Sequence, residues 1–127
     1  MTNECIPLYR PGQDVTATAG AAITGKTFVD ITGALNATTG ALLTVSPATA
    51  AGKAFGVAAR DAASGGRVAV IRSAKVVIPV AAGGTFAVGD EVEVGAGAKA
   101  VKLASGTAVG RALTAGAANA DAFIELY

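Results

Sequence analysis

The chain has 127 residues and a mass of 12.2 kDa, and 31 alanines and 17 glycines make its average residue light. The 52% hydrophobic fraction is therefore almost half alanine, leaving 35 larger apolar residues to build a core. No histidine is present, which excludes histidine-based triads, metal sites and proton shuttles. The single Cys5 excludes an internal disulfide or a cysteine zinc cluster. With 10 basic and 9 acidic residues spread along the chain, no basic footprint for nucleic acid exists. The absence of tryptophan and the 5% aromatic content leave few faces on which bases or sugars could stack.

In chain order, the first segment differs from the rest. Residues 1–13 are expected to form an extended N-terminal arm and residues 14–127 a β domain. In Ile6-Pro7-Leu8-Tyr9-Arg10-Pro11-Gly12, two prolines preset φ and suppress regular pairing, while Ile6, Leu8 and Tyr9 are apolar. Such an arm either packs on its own domain or docks on a neighbouring subunit. In the second case Ile6, Pro7, Leu8, Tyr9 and Arg10 are the candidate capsid or subunit contacts. The start Met1-Thr2-Asn3-Glu4-Cys5 lacks a basic region and an apolar signal core, so synthesis and retention in a cytoplasm are expected.

Beyond the arm, short β-branched runs alternate with Gly, Asn, Asp and Ser clusters, and no apolar stripe of helical period stands out. This punctuation predicts ten strands, near Val15–Ala19, Thr27–Thr32, Ala41–Ser46, Ala54–Ala59, Arg67–Ile71, Lys75–Val80, Glu91–Val94, Lys99–Leu103, Thr107–Leu113 and Ala122–Leu126. Their spacing of roughly ten residues is that of a single all-β barrel or β-sandwich-like domain. The most apolar stretch, Val76 to Val88, holds Pro79, Gly83 and Gly84 and is too short to span a bilayer, so no membrane partner is expected.

Two details follow from the pattern. A four-residue loop Gly95-Ala96-Gly97-Ala98 would place Val94 opposite Lys99, Glu93 opposite Ala100, Val92 opposite Val101 and Glu91 opposite Lys102. Val92 and Val101 would then face the core, with both glutamates in water. Gly25-Lys26-Thr27-Phe28-Val29 is also similar to Gly84-Thr85-Phe86-Ala87-Val88, and Ala54-Phe55-Gly56-Val57-Ala58 to Ala108-Val109-Gly110-Arg111-Ala112. These pairs fit either an internal duplication or the general likeness of Ala/Gly-rich strands.

Candidate chemistry is sparse. Glu91 and Glu93 share a strand face, as paired catalytic acids would, but a solvated face accounts for them better. The pairs Gly65-Gly66 and Gly83-Gly84 lack the helix and Lys-Ser/Thr of a phosphate loop and read as turns. Ser46, Ser64, Ser73 and Ser105 have no histidine to activate them, and the Ser73/Lys75 neighbours have no further support. Cys5 has no established basic partner. Asp14, Asp30, Asp61, Asp90 and Asp121 stand singly rather than in a calcium-loop cluster. No cofactor, metal or enzymatic activity is expected.

One resemblance does carry function. Asp14-Val15-Thr16-Ala17-Thr18-Ala19, Thr27-Phe28-Val29-Asp30-Ile31 and Ala54-Phe55-Gly56-Val57-Ala58 are followed by Asp61-Ala62 and Gly66-Arg67-Val68. Phe86-Ala87-Val88-Gly89-Asp90-Glu91-Val92 and Val109-Gly110-Arg111-Ala112 complete the succession. Together they resemble the tailed-phage capsid decoration, or cement, proteins. The resemblance implies a β-barrel-like virion protein, made in the host cytoplasm, that binds the outside of the assembled head. It implies as partners the major capsid protein lattice and, as a homotrimer, the chain itself, with no catalytic motif to transfer. Another phage role, as a head-fibre base or tail component, and a carbohydrate- or ligand-binding β module are the competing readings.

Overall fold

The computed structural model describes residues 14–127, which form ten strands and one short 3₁₀ turn. The first five strands are β1 (Asp14–Ala19), β2 (Phe28–Gly33), β3 (Thr44–Pro47), β4 (Gly56–Ala58) and β5 (Arg67–Ile71). They close into a barrel in the order β1-β3-β2-β4-β5, with β1 and β3 parallel and the other neighbours antiparallel. The second five are β6 (Val77–Ala81), β7 (Glu91–Val94), β8 (Ala100–Lys102), β9 (Gly110–Ala112) and β10 (Asp121–Leu126). They form a sheet in the order β6-β10-β9-β7-β8.

All ten expected strands are present, and the differences lie at their ends. The strand expected from Lys75 begins at Val77, because Lys75 adopts a left-handed φ of 67° and turns the chain. The strand expected over Thr107–Leu113 contracts to Gly110–Ala112, and that expected over Ala41–Ser46 becomes Thr44–Pro47.

The two sets of five strands share one topology. In each, the first strand pairs with the fifth, the second with the third and fourth, and the fourth with the fifth, all antiparallel. The parallel contact Ala19↔Val45 that closes the first set reappears as the parallel bridge Ala82↔Ala100 in the second. Isolated antiparallel bridges Ile23↔Ala62 and Phe86↔Gly116 occupy matching places. So do the left-handed turn residues Gly65 and Asn119, whose amides donate to Ala19 O and Ala82 O respectively.

The fold is therefore a tandem duplication, and Ala54–Ala58 and Ala108–Ala112 are equivalent segments, with Val29↔Gly56 matched by Val92↔Gly110. The other sequence likeness does not hold in space. Phe28 is equivalent to Glu91, and Phe86 takes the place of Ile23.

Nine of the 24 buried apolar residues among those described are alanine, so strands approach closely. Gly56 and its equivalent Gly110 show how closely. A Cβ on Gly56 would lie 2.5 Å from Ile71 O, and one on Gly110 2.7 Å from Ile124 Cγ2. One cluster fills the first barrel with Ala17, Val29, Val45, Val68 and Val70. The larger cluster fills the second half and draws in Phe28 and Val57, which point out of the first barrel and seat it against the second half.

Candidate docking surface

The outer face of the sheet β6-β10-β9 is built by alternation. Along β10, Ala122, Ile124 and Leu126 point inward and are buried, which turns Asp121, Phe123 and Glu125 outward. Phe123 pairs with Pro79 on β6, and Glu125 pairs with Val77 on one side and Arg111 on the other. Leu113 N donates to Phe123 O at 2.9 Å, and Phe123 N donates to Thr114 Oγ1 at 2.9 Å. Phe123 is thus held by its backbone while its ring stands in solvent. Phe123, Val77 and Leu113 are 49%, 46% and 42% exposed, and Val88, beside the turn that bonds Ala112, is 66% exposed.

Scattered surface hydrophobics are ordinary, whereas clustered ones mark contact sites. Here the duplication supplies an internal control. The same face of the first half carries Asp14, Thr16 and Thr18 on β1 and Arg67, Ala69 and Ile71 on β5, with Ile71 partly buried against the larger cluster. Thr16↔Ala69 is the equivalent of Pro79↔Phe123, and Asp14↔Ile71 that of Val77↔Glu125. One fold position is polar and small in one half and apolar and large in the other, so the fold does not require Phe123 to be there. Charges rim the patch in balance. Lys26 Nζ lies 2.7 Å from Asp121 Oδ2, and Arg111 stands opposite Glu125. The face accordingly offers apolar area rather than net charge.

The carboxylates expected to sit in water divide. The loop between β7 and β8 takes in Lys99, with Gly95 N donating to Lys99 O at 2.7 Å and Ala98 at a φ of 60°. The register is therefore one residue off the expected one: Val92 opposes Lys102, Glu93 opposes Val101 and Val94 opposes Ala100. A one-residue shift changes every facing pair. Val92 is buried as expected, but the small Ala100, not Val101, joins it on the core face.

Glu93 is only 6% exposed, because the segment after β8 folds over it. It accepts from Ala104 N at 3.2 Å and Gly106 N at 2.5 Å. Glu91 stays exposed, accepts from Tyr127 Oη at 2.7 Å and pairs with Arg111 rather than Lys102. That hydrogen bond is the main cause of a Tyr127 pKa raised above the usual phenol value, with desolvation and the Glu91 charge adding to it. The two glutamates hold different partners and form no acid–base pair. Among the described residues, no group of three or more Asp, Glu, Cys or His could hold a metal, and no helix is long and apolar enough to cross a membrane.

The contact residues expected from the sequence, Ile6, Pro7, Leu8, Tyr9 and Arg10, lie outside the described residues. The Phe123 face was not among the expected contacts. The signal for it was present in Asp121-Ala122-Phe123-Ile124-Glu125-Leu126, where Phe123 is out of phase with the inward residues.

Comparisons with known proteins agree with this architecture. The fold is similar to the head fibre gp8.5 N base of bacteriophage phi29, with a TM-score of 0.74 at 19% identity over 90% of this chain and 92% of that one. No curated protein matches the sequence. The family model described as phage cement protein matches residues 9–126, which takes in nearly all of the two-fold repeated β structure. The chain belongs to the phage cement protein family.

Proposed function

We propose that this protein binds the outer surface of the assembled phage head and braces the major capsid protein lattice, with the β6-β10-β9 face as its docking surface. Family membership makes it a capsid-associated structural component of the virion. The observation that carries the finer reading is the apolar face around Phe123, set against its polar equivalent in the first half.

The mechanism is linkage. A protein that binds the lattice but not free capsid subunits stabilises the lattice in proportion to its occupancy. Many copies at repeated sites multiply a modest interface, and homotrimeric binding would multiply it further. The role is structural rather than catalytic, and synthesis takes place in the host cytoplasm. Mixing purified protein with undecorated expanded heads tests this. Saturable binding with a rise in the temperature of head disruption is expected; no binding would reject it.

The fold likeness to the phi29 head fibre base favours a second reading, in which the domain anchors a fibre on the head. Electron microscopy of labelled virions separates the two, by density for a projecting fibre above the domain.

A further inference from the structure

Two adjoining recesses open at the seam between the halves. The first, of about 270 Å³, is walled by equivalent positions of the repeat: Lys53, Phe55 and Arg72 from the first half, and Thr107, Val109 and Leu126 from the second. Phe55 N and Val109 N donate to the equivalent carbonyls of Val29 and Val92. The β4–β5 register, carried one pair beyond Val57↔Ile71, sets Arg72 opposite Gly56, as Leu126 stands opposite Gly110. The second recess, of about 240 Å³, is lined by Val15, Leu35 and Leu43 and shares Phe55 and Arg72 with the first.

The two walls have one backbone and different chemistry. Leu126 continues the inward phase of Ala122 and Ile124 and is buried. Arg72 holds the same place after the inward Val68 and Val70, yet it is exposed. The second half shows that valine and leucine satisfy the fold here, so the fold does not require an arginine beside a phenylalanine. The Arg72 guanidinium lies 5.0 Å from the centroid of the Phe55 ring, which steadies the cation and leaves its N–H edge for an acceptor. Lys53, in the place of Thr107, adds a second exposed cation. Neither has an ion-pair partner among the described residues, whose ion pairs are Lys26–Asp121 and Lys102–Asp90. No described carboxylate lines either recess.

We propose that the paired recesses bind an extended acidic segment of a partner protein, seating one aliphatic side chain in each recess and bringing a carboxylate to Arg72, with Lys53 beside it. Charge complementarity selects the acid: two unpaired cations face no anion of their own. The apolar floor of Phe28, Val109 and Leu126 selects the aliphatic side chains. Two recesses side by side suit an extended chain, whose alternate side chains share one face. The site is separate from the Phe123 face and does not depend on head binding there.

The test titrates the full ¹⁵N-labelled chain, at low ionic strength, with the peptide acetyl-Ser-Leu-Glu-Leu-Glu-Ser-amide and with its counterpart carrying Gln for both Glu. The acidic peptide is expected to shift the amide signals of Leu43, Phe55, Arg72 and Val109 saturably, and to leave those of Val77 and Phe123 in place. The Gln peptide is expected to bind about threefold more weakly, as the loss of an exposed ion pair allows. Arg72→Gln, at an exposed position, keeps the shifts of the β domain and abolishes the preference for the acidic peptide. Phe123→Asp leaves peptide binding unchanged, which separates this site from head binding. No shift at the recesses, whether they are closed or filled from within the chain, would overturn the proposal. So would equal affinity for the two peptides, or a preference that survives Arg72→Gln.

Discussion

The two halves of the molecule have one topology and opposite surfaces. In the first, a full ladder closes the barrel, including two register pairs between the parallel strands β1 and β3, and the outer face is made of Thr, Asp, Arg and Ala, with one large apolar residue, Ile71, partly buried against the larger cluster. In the second, the parallel closure is the single bridge Ala82↔Ala100, and the outer face presents Val77, Pro79, Leu113 and Phe123. The inward positions stay apolar in both: Val15, Ala17 and Ala19 become Ile78, Val80 and Ala82, all buried. Burial therefore constrains one side of each strand, while the other side is free to differ, and the second half has used that freedom to gather apolar surface.

Changing equivalent positions in the two halves tests this directly. The largest effect is expected at Phe28, fully buried at the seam, whose equivalent is the exposed Glu91. Phe28→Ala is expected to cost about 3–5 kcal/mol of stability in denaturant unfolding, and Glu91→Ala less than about 1 kcal/mol. Equal costs would show that the seam does not hold the halves together.

Glu93 and its counterpart Asp30 come next. Glu93→Ala leaves the Ala104 and Gly106 amides without their acceptor, at about 1–3 kcal/mol for each that stays dry. Asp30 is partly exposed on β2, and Asp30→Ala is expected to fall within about 0.5 kcal/mol of the parent. Hydrogen exchange at Ala104 and Gly106 should accelerate in the Glu93 variant alone.

A smaller effect concerns pH. The raised Tyr127 pKa means that the folded state holds its phenol proton longer than the unfolded chain does. Whatever stability this supplies is fully present below the ordinary tyrosine pKa of about 10 and declines as pH rises through the folded value. Glu91→Gln removes the charge that opposes phenolate, so Tyr127 is expected to ionise at lower pH in an ultraviolet absorbance titration. An unchanged midpoint would show that Glu91 is not the cause.

The strands were legible because Gly, Asn, Asp and Ser clusters interrupt β-branched runs at even spacing, a local signal that survives folding. Half of the duplication was legible in the same way, through Ala54–Ala58 and Ala108–Ala112. The likeness of Gly25–Val29 to Gly84–Val88 misled, because Phe86 serves the bridge to Gly116 rather than a strand. Two features needed the tertiary structure. The β7–β8 register turns on Ala98 accepting a left-handed conformation, which lets the loop absorb Lys99. Glu93 is buried by a segment that begins ten residues further along the chain, which no strand pattern encodes. The apolar face around Phe123 lies between these cases. Its phase was readable in residues 121–126, but its significance emerged only beside the polar face of the other half.

The most direct test of the central claim compares Phe123→Asp with Ala69→Asp, the equivalent change in the first half. Both positions face outward, so both variants should unfold within about 0.5 kcal/mol of the parent. Titrated onto undecorated heads, Phe123→Asp is expected to bind at least about tenfold more weakly, the loss of a contact worth about 1.4 kcal/mol or more, while Ala69→Asp binds like the parent. Parent-like binding by Phe123→Asp, or equal losses in the two variants, would contradict the account.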